Sequence, residues 1–392
     1  MKQRTIPAVF ITVILGAAMI LGGQWAQGAI GFARQICKSS LFTTAQPACG
    51  GPLYQMKKSD ETQPAANHRE AVAAALRQGF GVQYWGQDYS AAGLAAAPHG
   101  LLIIEATKVG ENHSDTGREV FFTREEIQTI RQQGHRPVLA YLNLSEIEDY
   151  RDYWVRLNLT GSDPAHPPSQ GWIGPRGSSA EHLAQYWTPE WEGILAARVD
   201  TLMAMGFDGL FFDDVLHYYS FATDGTVDWT GLEPSDPPED AAGFARAMMQ
   251  LVEQLSARSR INNSDGIIVV NSGAFIGQDA VHNRMDQAGV EAFATYLDAI
   301  DAIMMEDVFT SDMRKPTIEV LKDEFAAAGT AVLAVDFATS FPGQDPQAIR
   351  ARLSRSAAAC GFTSYLADDT SFDRLYPPII APHQTHPASL GF

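Results

Sequence analysis

Two adjacent carboxylates, Asp213 and Asp214, close the segment GFDGLFFDDV (Gly206–Val215). The residues before them, Leu210, Phe211 and Phe212, form a short continuous apolar run, the pattern of a strand covered on both faces. In a parallel α/β sheet or barrel the C-terminal strand ends are where ligands sit. Other strand-like segments here end in the same way. Glu105 follows LLII, Glu146 and Glu148 follow AYLNLS, Glu306 and Asp307 follow AIMM, and Asp336 follows AVLAV. Folded as a barrel, these carboxylates converge on one face. Like-charge crowding raises some pKa values, so one group can stay protonated beside an ionised neighbour. An acid that protonates a leaving oxygen, with a carboxylate that attacks or activates water, is what glycoside hydrolysis requires.

Two other readings compete for these residues. A single acidic strand end can simply cap a helix or satisfy loop amides, but that is a poorer account of five strand ends together. Clustered carboxylates also suit Ca2+ or Mg2+. No EF-hand loop is present and no closely spaced His pair suggests zinc, so neither a metal nor a cofactor is expected. Tyr84, Trp85, Tyr141, Tyr150, Trp154, Trp187, Trp191, Tyr218 and Tyr219 lie around the same strand ends and loops, where rings can stack on the C–H faces of sugars; Trp191 reads better as core. Asn271 closes a further strand as a hydrogen-bonding contact, while Ser272 beside it has no obvious His partner. No nucleophile elbow, P-loop or dinucleotide fingerprint occurs in a strand–turn–helix setting.

The elements that must position these groups alternate from residue 78 onward. Candidate strands are Gly81–Trp85, Leu101–Glu105, Pro137–Leu142, Gly209–Phe212, Ile267–Asn271, Ala299–Met305, Val332–Val335 and Thr363–Leu366, mostly continuous apolar runs. Candidate helices begin with a capping box, Thr123 and Glu126, opening a helix to about Gln133. Others are Glu190–Met205, Glu239–Ser259, Lys315–Ala328 and Pro346–Ala359. Repeated strand–helix alternation predicts an α/β fold, a (β/α)8 TIM barrel, more than a doubly wound sheet. Two long connections, about 157–186 and 216–238, would border its mouth.

The bulk numbers fit that plan. The chain has 392 residues, 45% hydrophobic and 19% charged, enough for one barrel with extensions. Lys2 and Arg4, an apolar stretch Ile6–Leu21 and small residues around Ala26–Ala29 form the three parts of a secretory signal peptide, with an uncleaved anchor as the alternative. The expected organisation is a signal peptide at 1–28, a flexible or loosely packed leader at 29–77, the barrel at 78–375 and a C-terminal tail at 376–392. That places the mature protein outside the cell or in the periplasm, off the membrane once the signal is removed. The formal charge of −18 excludes a basic nucleic-acid footprint and would favour a cationic substrate. Cys37 and Cys49 could pair after export, and Cys360 reads as a core thiol.

AYLNLSEIEDYRDYW (Ala140–Trp154) resembles the signature of glycoside hydrolase family 114, in which a strand ends in Gly-Glu-x-Glu-x-Tyr-Arg. WTPEWEGILAARVDTLMAMGFDGLFFDDV (Trp187–Val215) resembles its next block, and Tyr-Trp-Gly-Gln (84–87) and LLIIEAT also fit. Ser145 stands where the family usually has Gly, Glu105 where it often has Asp, and Asp336 where Glu is common. The resemblance implies a TIM barrel, related to the hydrolase domains of Pel-type exopolysaccharide systems, acting on α-1,4-linked galactosamine polymers. By the same resemblance, Asp213 and Glu306 are the catalytic carboxylates. Tyr84, Trp85, Glu105, Tyr141, Glu146, Glu148, Tyr150, Arg151, Asp214, Tyr218, Asn271 and Asp336 are the expected substrate contacts. Rival readings are a non-catalytic carbohydrate-binding barrel and a metal-dependent hydrolase built on the same acidic cluster.

Overall fold

The structure, a computed structural model, describes residues 63–108, 119–148, 150–156, 171–177, 182–222, 227, 229, 232–283, 285–310 and 314–380. Eight parallel strands form one sheet in the order β1 (Phe80–Gln83), β2 (Leu101–Ile104), β3 (Val138–Asn143), β7 (Gly209–Asp213), β8 (Ile267–Asn271), β9 (Ala302–Glu306), β10 (Ala331–Phe337), β11 (Thr363–Ala367). Each strand follows its neighbour in sequence and in space, and the sheet curls into a nearly closed (β/α)8 barrel. Phe80 on the first strand meets Tyr365 on the last, with ring centroids 5.4 Å apart. All eight predicted strands are present, with ends moved by up to three residues.

Alternation along the strands divides the core in two. Val82, Ile103, Leu139, Phe211, Val269, Met304, Leu333 and Val335 fill the barrel interior. Their sequence neighbours, such as Ile104, Ala140, Phe212, Val270 and Ile303, face the helical shell. Both faces are buried, which is why these strands read as unbroken apolar runs. At Gly209 a Cβ would lie 1.9 Å from the Ile267 carbonyl oxygen, so β7 and β8 approach as closely as they do only because the position is glycine.

The shell matches the sequence reading in most places. Thr123 caps the helix Arg124–Ile130 through a reciprocal box: its Oγ1 accepts from the Glu126 N–H at 3.2 Å, and Glu126 Oε2 accepts from the Thr123 N–H at 2.7 Å. Pro189–Ala204, Ala241–Asn262 and Pro346–Cys360 are helices close to their expected bounds. The segment expected as one helix from Lys315 is α-helical to Val320 and then widens into a π-turn, Leu321–Phe325. A helix at Gln287–Ala299, capped by Asp286, was not foreseen.

Two boundaries shift. The end of the expected leader is a helix, Gln63–Leu76, packed under the barrel: Val72 joins the interior core, and Arg69 donates to the carbonyls of Ala328 and Leu297, each at 2.6 Å. The start of the expected tail is also held, since Ile379 is buried and the Tyr376 carbonyl lies 2.8 Å from His99 Nε2. The signal segment, Cys37 and Cys49 lie outside the described residues, and Cys360 is half-buried against the shell. Part of the long connection at 157–186 forms a small antiparallel sheet of β4 (Glu146–Ile147), β6 (His182–Ala184) and β5 (Ile173–Arg176) beside the mouth. No helix among the described residues is long and apolar enough to cross a membrane.

Candidate active site

Strand parity decides which side chains enter the mouth. Phe211 belongs to the barrel interior, so Asp213, two residues on, projects inward at the C-terminal end of β7. By the same count Met304 sets Glu306, Val269 sets Asn271, Leu139 sets Tyr141 and then Asn143, Ile103 sets Glu105, and Val82 sets Tyr84. Seven polar groups from six strands therefore point to one place. β8 lies between β7 and β9, which puts Asn271 between the two carboxylates.

Hydrogen bonds divide the roles of that pair. Asp213 Oδ1 accepts from Asn271 Nδ2 and from the Asp214 N–H, both at 2.8 Å. Burial raises the Asp213 carboxyl, but these donors, with the Tyr141 hydroxyl, favour its charged form. Glu306 stands on the other side of Asn271, and burial first and the Asp213 charge second push its carboxyl up to about 8. At neutral pH Glu306 therefore holds a proton, while burial raises the Asp213 carboxyl against the pull of its donors. Asp214 is pushed well above the usual carboxylate range by burial and by the charges of Asp213 and Glu146. Tyr84 and Tyr141, with rings 4.8 Å apart, line the floor, and burial together with the Asp213 charge keeps both hydroxyls protonated.

The backbone carries a matching signature. The residues just after the inward groups of β7, β8 and β9, namely Asp214, Ser272 and Asp307, adopt left-handed φ of 59°, 67° and 54°. For a non-glycine residue that conformation costs roughly 1–2 kcal/mol, and such strain clusters at functional sites. Here it turns the chain away at once and leaves the preceding side chain projecting into the mouth.

Several expected contacts serve other ends. Glu105, Glu148 and Arg151 form a buried network: Arg151 Nη2 donates to Glu105 Oε2 at 2.7 Å and Nε to Glu148 Oε2 at 2.7 Å. Arg151 also reaches Glu119, which pairs with Arg198 at 2.7 Å. Burial opposes ionisation of Glu119, yet Arg198 and Arg151 pull its carboxyl down to about 2. Tyr150 donates to Glu148 and stacks under the Arg151 guanidinium. These residues brace the wall of the site. Tyr218 is buried in the shell with its hydroxyl 2.6 Å from Asp279 Oδ2, so it is a packing residue and no rim contact. Asp336 is a parity error of the sequence reading: Val335 and Phe337 face inward, so Asp336 faces the shell, fully buried, accepting from the Phe309 N–H at 2.8 Å. Burial raises its carboxyl to about 7. Trp85 stands 41% exposed at the rim, anchored by Nε1 to the Ser371 carbonyl at 2.9 Å.

Three groups escaped the sequence reading. Asn143 closes β3 and organises the next turn, its Oδ1 accepting from the Ser145 and Glu146 N–H groups and its Nδ2 donating to Asp214 Oδ2 at 2.5 Å. Its inward parity was the available signal. Ser145 donates through Oγ to the Asp214 carbonyl at 2.6 Å. His217, in the expected 216–238 loop, begins a short helix (His217–Ala222) and places Nε2 at 3.4 Å from Glu146 Oε1 and 3.8 Å from Asp214 Oδ1.

Residues 111–377 match the model of glycoside-hydrolase family GH114. An uncharacterized protein of Methanocaldococcus jannaschii is 26% identical over 247 residues, 60% of this chain and 60% of that protein. An uncharacterized protein of Deinococcus radiodurans is 23% identical over 249 residues, 61% of this chain and 66% of that one. The chain spans 46–66% of the length of the three curated relatives it matches. Among solved structures, Aspergillus fumigatus Ega3, in complex with galactosamine, is 12% identical with a TM-score of 0.49, covering 83% of this chain and 99% of that one. The glycoside hydrolase domain of PelA from Pseudomonas aeruginosa is 15% identical with a TM-score of 0.45, covering 76% and 98%.

Proposed function

The chain belongs to glycoside-hydrolase family GH114, and from that premise we propose that it cleaves an amino-sugar polysaccharide, an α-1,4-linked galactosamine-type polymer, from within the chain. The observation that carries this reading is the pair Asp213 and Glu306, which project from the ends of β7 and β9 on either side of Asn271, with the Asn271 amide donating to Asp213 at 2.8 Å and burial pushing the Glu306 carboxyl up to about 8. Glu306 gives its proton to the glycosidic oxygen as the bond to the anomeric carbon breaks. Asp213 attacks that carbon or takes a proton from the attacking water. Because a deacetylated galactosamine polymer is polycationic, the chain's formal charge of −18 favours it electrostatically. Action outside the cell or in the periplasm is supported by the N-terminal sequence pattern.

The test is reducing-sugar release by the purified protein on partially deacetylated α-1,4-galactosaminan, with chitosan and Pel-type material alongside. Release from the first polymer supports the reading. If all three are bound but none is cut, the chain is a carbohydrate-binding barrel.

The pH profile has a defined sign. The acid must be protonated and burial pushes it up to about 8, so kcat/KM is expected to hold through neutral pH and fall as pH rises through about 8. A profile still rising at pH 9 would remove Glu306 from the role of acid. Trp85 supplies a second check. Its ring is exposed while its indole N–H is already used, so it acts only as a stacking surface. Trp85→Ala is expected to raise KM about 2–10-fold with kcat little changed, the scale of one aromatic contact, read from initial rates across polymer concentration.

A further inference from the structure

We propose that Glu146, Asp214 and His217 form a binding site for a divalent cation of the Zn2+ or Mn2+ type, beside the catalytic pair and distinct from it. One ligand atom from each lies within 4.8 Å of the other two. Two edges of that triangle, 3.4 Å from His217 Nε2 to Glu146 Oε1 and 3.8 Å to Asp214 Oδ1, approach those of a coordination polyhedron with metal–ligand bonds of about 2.1 Å.

The imidazole carries the argument. His217 Nδ1 lies 3.0 Å from Ser220 Oγ, while Nε2 is shut off from solvent and makes no hydrogen bond. Where Nδ1–H donates to Ser220, Nε2 presents a lone pair toward one oxygen of each of the two acidic side chains, and a cation placed between the three atoms would take all of them as ligands. A donor set of one imidazole and two carboxylates suits Zn2+ or Mn2+ better than Ca2+ or Mg2+, which prefer oxygen alone.

The surroundings hold the ligands as a metal's outer shell does. Asn143 Nδ2 occupies Asp214 Oδ2, leaving Oδ1 toward His217. Ser145 Oγ fixes the Asp214 carbonyl, and Asn143 Oδ1 fixes the Glu146 N–H. Asp214 keeps its left-handed backbone at this spot. The three ligands come from β4, the end of β7 and the helix His217–Ala222, so a bound cation would clamp the small sheet and that helix to the mouth.

Tag-free full-length protein, stripped with EDTA and dialysed, is titrated with ZnCl2 or MnCl2 in a calorimeter, and its Tm is followed in parallel. One equivalent is expected to bind, with Tm rising about 5–10 °C at a hundredfold excess over Kd. His217→Ala and Glu146→Gln, each checked for an intact fold by circular dichroism, are each expected to weaken binding at least about 100-fold, the upper end of what outer-shell changes alone do. Neither metal binding overturns the proposal. So does one-equivalent binding that survives both substitutions, which would place the ion elsewhere, such as at the exposed group of His282, Asp240 and Asp286. Stabilisation by galactosamine hydrochloride with neither metal binding also overturns it and gives the three residues to an amine. These readouts are independent of polysaccharide cleavage, so the proposal and the assigned hydrolysis fail separately.

Discussion

Asp213→Asn and Glu306→Gln are each expected to lower kcat by about 10²–10⁴-fold or more, the range for loss of a positioned acid or base, while both proteins stay folded. Either substitution keeps the shape of the carboxyl group, and Asp213→Asn keeps an oxygen for the Asn271 amide. The two differ in stability. In the folded chain Glu306 keeps its proton up to about 8, whereas an unfolded carboxyl releases it near its ordinary 4.5. A raised folded pKa means that stability present at low pH is lost as pH rises from 4.5 through 8. Glu306→Gln removes that loss, of roughly 3–5 kcal/mol. Its Tm should therefore exceed the wild type's at pH 8 to 9 and converge with it near pH 4. An inactive Glu306→Gln that melts below the wild type at high pH would mean that the carboxyl is ionised and stabilising. An active one would remove it from the chemistry.

Arg151→Met is expected to lower stability by about 3–5 kcal/mol, and Tm by about 6–20 °C, because it strands buried carboxylates. Arg151 is 1% exposed and donates to Glu105, Glu148 and Glu119. Adding Glu105→Gln should restore part of the loss, since one stranded charge is then removed. The network also sets the acid side of the stability curve. Glu119 is held at about 2, so its contribution is present above an ordinary carboxylate pKa and is lost as pH falls toward 2. Thermal melts of the single and double variants decide the matter. A wild-type Tm for Arg151→Met would show that these residues do not hold the wall.

The strands were legible because both of their faces are buried. That condition forces continuous runs such as LLII and IIVV and gives the parallel sheet away. Asp213 was legible for a related reason: two carboxylates directly after such a run have no place in a core. The small sheet was not legible, since β4 has two residues and β6 three, too few for any period to register. The helix Gln63–Leu76 was hidden because what holds it is Arg69 reaching carbonyls more than two hundred residues away.

Asp336 and Glu148 mark where local reading fails. A carboxylate at a strand end looks the same in sequence whether it faces the mouth or the shell, and one residue of parity moved Asp336 out of the site. Glu148 sits in the same motif as Glu146, but Arg151 three residues on claims it, while Glu146 turns to His217. The parallel barrel, its eight strands and the collection of carboxylates at one end could be read in advance, because hydrophobic period and strand-end chemistry are local properties. Which of those carboxylates lie beside Asn271, which are neutralised by arginine and which meet an imidazole depends on contacts between distant residues. Burial, partner and protonation state are set by side chains far apart in the chain, and they separate an acid from a brace.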